Sequence, residues 1–80
     1  MDMEAGLAAM TSRLIAYHLE RLKNNLIQTR LDAINELRLL GDARALEALE
    51  HTYRTDPDED VRKAAQEAGR EIFMKSHQKS

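Results

Sequence analysis

The 80-residue chain has no cysteine and no tryptophan, a single proline, three glycines and an aromatic content of only 4%. Each scarcity excludes something. Without cysteine there is no disulfide framework, no thiolate metal site and no cysteine nucleophile, and the absence suits a reducing compartment. With two Tyr and one Phe as its only aromatics, a core must rest on Leu, Ile and Ala, the composition of packed helices rather than of a β-sandwich. No apolar run approaches the ~20 residues that a membrane-spanning helix needs. The opening MDMEAGLAAM carries acidic residues where a secretory signal carries positive charge, so no signal peptide is read and the cytoplasm is the expected compartment.

Charge of one sign is also lacking. The first 40 residues carry five basic and five acidic side chains, the last 40 seven and nine, for a net charge of −2. Neither half is a basic arm, so binding to nucleic acid through phosphate neutralisation is disfavoured. What the chain does have is 42% apolar and 32% charged residues, enough for one small folded domain near the size where a single core is barely sufficient.

The apolar residues recur at helical spacing. Leu7, Met10, Leu14, Tyr17 and Leu22, with Ile15 and Leu19 widening the stripe, predict a first helix from about residue 4 to Lys23. Asn24-Asn25 breaks it, since Asn tolerates left-handed backbone and competes for backbone hydrogen bonds. Leu26, Ile27, Leu31, Ile34 and Leu37 carry a second helix that Gly41 ends. Asp42 is expected to cap a third, with Ala45, Leu46, Leu49 and Tyr53 as its face, ending near Thr55. The corner TDPDED then predicts a cap at Asp56, Pro57 in the first helical position and Glu59 in a capping box, with Asp58 and Asp60 facing the positive end of the helix dipole. Val61, Ala65, Ala68 and Ile72 form the stripe of the fourth helix, and KSHQKS after Met74 is expected to fray. Leu14 and Leu46 are both expected in the core, where truncation to Ala costs about 2–5 kcal/mol.

The sequence also resembles itself. Arg62 lies 32 residues after Arg30; at that offset Ala65 falls on Ala33, Ile72 on Leu40, Asp56 on Asn24 and Leu46 on Leu14. The chain therefore divides into two helix-turn-helix units, each with a polar corner and an Arg six residues after that corner begins.

LGDARALEAL followed by TDPDEDVRKAAQEA resembles a HEAT repeat of the short type named after phycobilisome lyases. The likeness covers Gly41 to Ile72 strongly and Leu14 to Leu40 weakly, where Asn24-Asn25 replaces the Asp-Pro corner. It implies an all-α protein: an α-α superhelix of two HEAT-like hairpins, a right-handed stack whose second helices line an inner face. The expected boundaries are one domain over 1–75, with repeat one at about 4–40, repeat two at about 42–74, and a polar tail at 76–80. The resemblance further implies a ladder in which the corner acid Asp56 meets an Arg of a neighbouring unit, with Arg30 and Arg62 as its bases. A carboxylate at a corner can cap backbone groups while a forked guanidinium ties neighbouring pairs together.

Motifs for chemistry are absent. Glu47 and His51 stand four apart on a helix, a spacing that can chelate a metal, but no third ligand accompanies them. The run from Asp56 to Asp60 lacks the glycine of a calcium loop, Val61 standing in the sixth position. Thr11, Ser12 and Ser76 have no base at a recognisable spacing, and no phosphate-binding glycine loop occurs. No catalytic residue, cofactor, metal or small-molecule substrate is inferred, and the chain is not read as an enzyme.

The expectation is a protein–protein interaction or assembly module. A repeat buries its apolar face against the next, and about three are usually needed for stability; this chain has two, so a partner is expected, either a second copy or a larger protein. Leu7, Met10, Lys63, Arg70, Phe73 and Met74 are the expected contact residues. The alternatives are a nucleic-acid-associated regulator, which the alternating signs on the second and fourth helices disfavour, and an accessory subunit of an enzyme.

Overall fold

The computed structural model describes residues 3–77. The fold is all-α: α1 spans Met3–Arg21, α2 Ile27–Leu40, α3 Leu46–Thr55 and α4 Glu59–Ser76, with a 3-10 turn at Ala43–Ala45 leading into α3. No strand occurs among the described residues. α1 packs on α2 and α3 on α4, and α2 also lies against α4, so two helix pairs are joined through their second helices.

Each boundary has a local cause. Asn24 Oδ1 accepts the Leu26 N–H at 2.9 Å, an Asx turn that ends the α1 path and starts α2. Gly41 sits at φ 64, the left-handed conformation that favours glycine, and returns its N–H to the Leu37 carbonyl. Asp42 accepts the Arg44 N–H at 2.8 Å and so opens the 3-10 turn.

The cap of α4 differs from the sequence expectation. Asp58, not Asp56, is the capping residue, its carboxylate accepting the Val61 N–H at 3.0 Å. Pro57 therefore precedes the cap rather than occupying the first helical turn, and Glu59 begins the helix instead of closing a capping box. The reason lies in competition for Asp56, whose carboxylate is taken by Arg30 and by the Asp58 N–H. Proline also holds the residue before it extended, as Asp56 is at φ −66, ψ 134. Glu59 and Asp60 still place negative charge in the first turn.

The core joins Ala33, Ile34 and Leu37 of α2, Ala45 and Leu49 around the start of α3, and Val61, Ala65, Ala68 and Ile72 of α4. The α4 stripe is the one the spacing predicts, and its small residues let helices approach closely. α1 joins through Ile15 and His18, and Leu22 just after it is buried as well. This corrects the assignment of Leu14 to the core: it is 46% exposed, on the stripe with Leu7, Met10 and Tyr17 that faces away from α2. Leu46 is half-buried. Leu26, Ile27 and Tyr53 are likewise exposed rather than core residues. α4 also runs past Met74 to Ser76, ending where the His77 N–H reaches the Phe73 carbonyl; the rest of the expected tail, 78–80, lies outside the described residues.

Candidate docking surfaces

The corner between α3 and α4 is where the two helix pairs are tied together. Arg30 of α2 holds Asp56 in a fork, Nε to Oδ2 at 2.8 Å and Nη2 to Oδ1 at 3.1 Å. Both side chains are nearly closed off from solvent, at 10% and 6% exposure. Arg30 Nη1 donates to the carbonyls of Asn24 and Asn25, so it braces its own corner while gripping the next. Four of the five guanidinium donors are thereby satisfied. Asp56 in turn accepts the Asp58 N–H, donates its own N–H to the Thr52 carbonyl and accepts Arg62 Nη1 at its carbonyl, at 2.8 Å. Three helices meet on this residue. A buried pair of this kind is costly to desolvate, and its forked geometry with four of the five guanidinium donors matched is what makes it tolerable. No buried side-chain polar atom is left without a partner among the described residues.

Arg62 repeats half of this arrangement. Its Nη1 donates to the carbonyl six residues earlier, as Arg30 Nη1 does. Its other edge, Nε and Nη2, meets no acceptor among the described residues.

Two apolar surfaces lie away from the core. One is the α1 stripe of Leu7, Met10, Leu14 and Tyr17, with Leu7 and Met10 each 59% exposed. The other is a groove of about 390 Å³ between α3 and α4, lined by the apolar Leu46, Tyr53, Ala65, Gly69 and Phe73 and the polar Glu50, Gln66 and Arg70. Of the expected contact residues, Arg70 and Phe73 share this groove, Met74 is exposed beyond it, Lys63 is paired with Glu59 at 3.2 Å, and Leu7 and Met10 stand apart on α1. The sequence reading missed Glu50, Gln66 and Gly69 as groove residues, because their types are unremarkable in an exposed helix. Their signal is positional: at an offset of 32 they stand opposite His18, Ile34 and Leu37, all buried in the first pair.

A larger, wetter groove of about 730 Å³ runs between the end of α1 and α3, past the Arg30–Asp56 pair, and includes Glu47 and His51. Among the described residues no group of three or more His, Asp or Glu side chains is placed to hold a metal ion. His18 lies on the buried side of α1, its Nδ1 accepting from Arg21 Nη1 at 3.1 Å. None of the described helices is long and apolar enough to cross a membrane.

The chain matches no family model, no curated protein and no solved structure.

Proposed function

We propose that this chain is a non-catalytic protein–protein interaction module, built as two stacked HEAT-like helical hairpins and binding through its helical surfaces. The observation that carries the reading is the apolar ground left open at its flanks. Leu7, Met10, Leu14 and Tyr17 on α1, and the Leu46–Tyr53–Phe73 groove, are each contiguous and solvent-facing. Patches of this kind mark sites of contact with other proteins. The internal repeat supports the same view, because helix-pair stacks bury such faces only against a further unit. The 32-residue recurrence of the Arg-to-carbonyl contact, Arg30 to Asn24 and Arg62 to Asp56, supports the stacked architecture.

The test compares the full chain with a variant carrying Leu7→Ser, Met10→Ser and Phe73→Ser as baits in extracts of the cells that express it. These residues lie outside the core, so the variant should remain folded. The wild type should retain one or more proteins that the variant loses. Retention of nothing, or retention on DNA that disappears with added salt, would contradict the reading.

A further inference from the structure

The molecule contains its own template for what the α3–α4 groove accepts. On α2, the stripe Arg30, Ile34, Leu37 and Arg38 is the face turned to the second helix pair. Arg30 grips Asp56 at one end, Arg38 Nη1 reaches Glu71 Oε1 of α4 at 3.4 Å at the other, and Ile34 and Leu37 between them are buried. Thirty-two residues later the same positions on α4 are Arg62, Gln66, Gly69 and Arg70. Gln66, Gly69 and Arg70 line the open groove, and Arg62 sits one turn before Gln66 on the same face. Arg70 has no ion-pair partner among the described residues, and the Nε/Nη2 edge of Arg62 meets no acceptor there. The second pair thus offers the two guanidinium positions that the first pair uses, with a cleft where the first pair has Leu37.

We infer that this face docks a helical hairpin of another protein that presents a carboxylate at its inter-helix corner to Arg62, a second acidic residue on its following helix to Arg70, and an apolar side chain into the cleft above Gly69. This rests on the reading of the chain as an interaction module and specifies its partner. Charge complementarity selects the occupant. A second copy of this chain, stacked in the same sense, would bring Asn24 to the place of Asp56 and Leu39 to the place of Glu71, offering neither carboxylate. A forked guanidinium without an anion forgoes the stronger, charge-assisted hydrogen bonds that fix register, so the partner is a different protein with an acidic corner.

The test uses the full chain with a photo-reactive phenylalanine analogue at Phe73, irradiated in the cells that express it, with the adduct mapped by peptide mass spectrometry. The adduct should join residue 73 to another protein, within a helix-turn-helix that carries Asp or Glu at its corner. Arg62→Gln should cut adduct yield about tenfold or more, as loss of one partner from a desolvated charge pair does. Because Arg62 also braces the corner, Gly69→Leu gives a second arm. A Cβ at Gly69 meets nothing within 4 Å and Leu favours helix, so the fold stands while the cleft is filled and the adduct is lost. An adduct to a second copy, an adduct on a segment without a corner acid, a yield indifferent to both substitutions, or no adduct at all would overturn the inference. The same analogue at Leu7 separates the two levels: an adduct there with none at residue 73 keeps the interaction module and removes this docking site.

Discussion

Arg30 and Arg62 stand at the same place in the two helix pairs, and each holds the carbonyl six residues behind it. Beyond that contact their situations diverge. Arg30 is buried and forked onto a carboxylate, and the stripe that follows it is packed with Ile34 and Leu37. Arg62 is half-buried with one edge open, and the stripe that follows it continues with Gln66 and Gly69. One motif serves as an internal clamp where another helix pair lies against it and as a surface where none does. Local sequence sets the geometry of the arginine; the packing around it decides whether it works in stability or in recognition.

The largest test of this contrast is removal of the clamp. Asp56→Ala leaves Arg30 buried without its anion and takes away the acceptor for the Asp58 N–H. It should cost about 3–5 kcal/mol in urea unfolding, as breaking one side of a buried pair does. Asn24→Ala, at the equivalent corner, removes only the exposed bond to the Leu26 N–H and should cost about 1 kcal/mol. Equal losses would erase the distinction between the two corners.

Next in size comes the stripe between the arginines. Leu37→Ala should cost about 2–5 kcal/mol, because the side chain is wholly buried. At the equivalent position Gly69→Ala should stabilise by about 1 kcal/mol, since it improves helix propensity in open space. The two substitutions therefore move the denaturation midpoint in opposite directions. Leu14→Ala should move it by no more than about 0.5 kcal/mol, as expected for an exposed site; a loss of several would return Leu14 to the core.

The smallest effect is electrostatic. Hydrogen bonds from the Arg44 side chain, and then from its backbone N–H, hold the Asp42 carboxyl below the usual carboxylate range. A depressed folded-state pKa gives stability that is complete above the unfolded value of about 3.9 and lost as pH falls through the folded one. Arg44 is exposed, so solvent screens the pair. The Asp42 resonance should titrate below pH 3.9, and in Arg44→Ala it should move back up.

Much of this was legible in the residues. The helical periods, the glycine stop at Gly41 and the α4 stripe follow from spacing, since each depends on local backbone; the pairing of Arg30 with Asp56 was expected only from the resemblance to HEAT-like repeats. The α1 face was harder. Leu14 and Ile15 are adjacent and equally apolar, and only the position of α2 decides which is buried. The cap of α4 was misjudged because three acids compete for one helix start, and Asp56 is claimed by an arginine 26 residues away. The groove was hidden because a glycine and a glutamine acquire meaning only beside the leucine and isoleucine they replace.

α2 turns a filled arginine stripe toward its neighbour, while α4 holds the same stripe open. Water exchange of the two arginine Nε–H protons, read by NMR on the isolated full chain, tests this contrast most directly. The Arg30 proton should exchange slowly, protected by the Asp56 carboxylate, and the Arg62 proton should exchange at a rate near that of exposed arginines. Equal protection of both, or a fast Arg30 proton, would contradict the account.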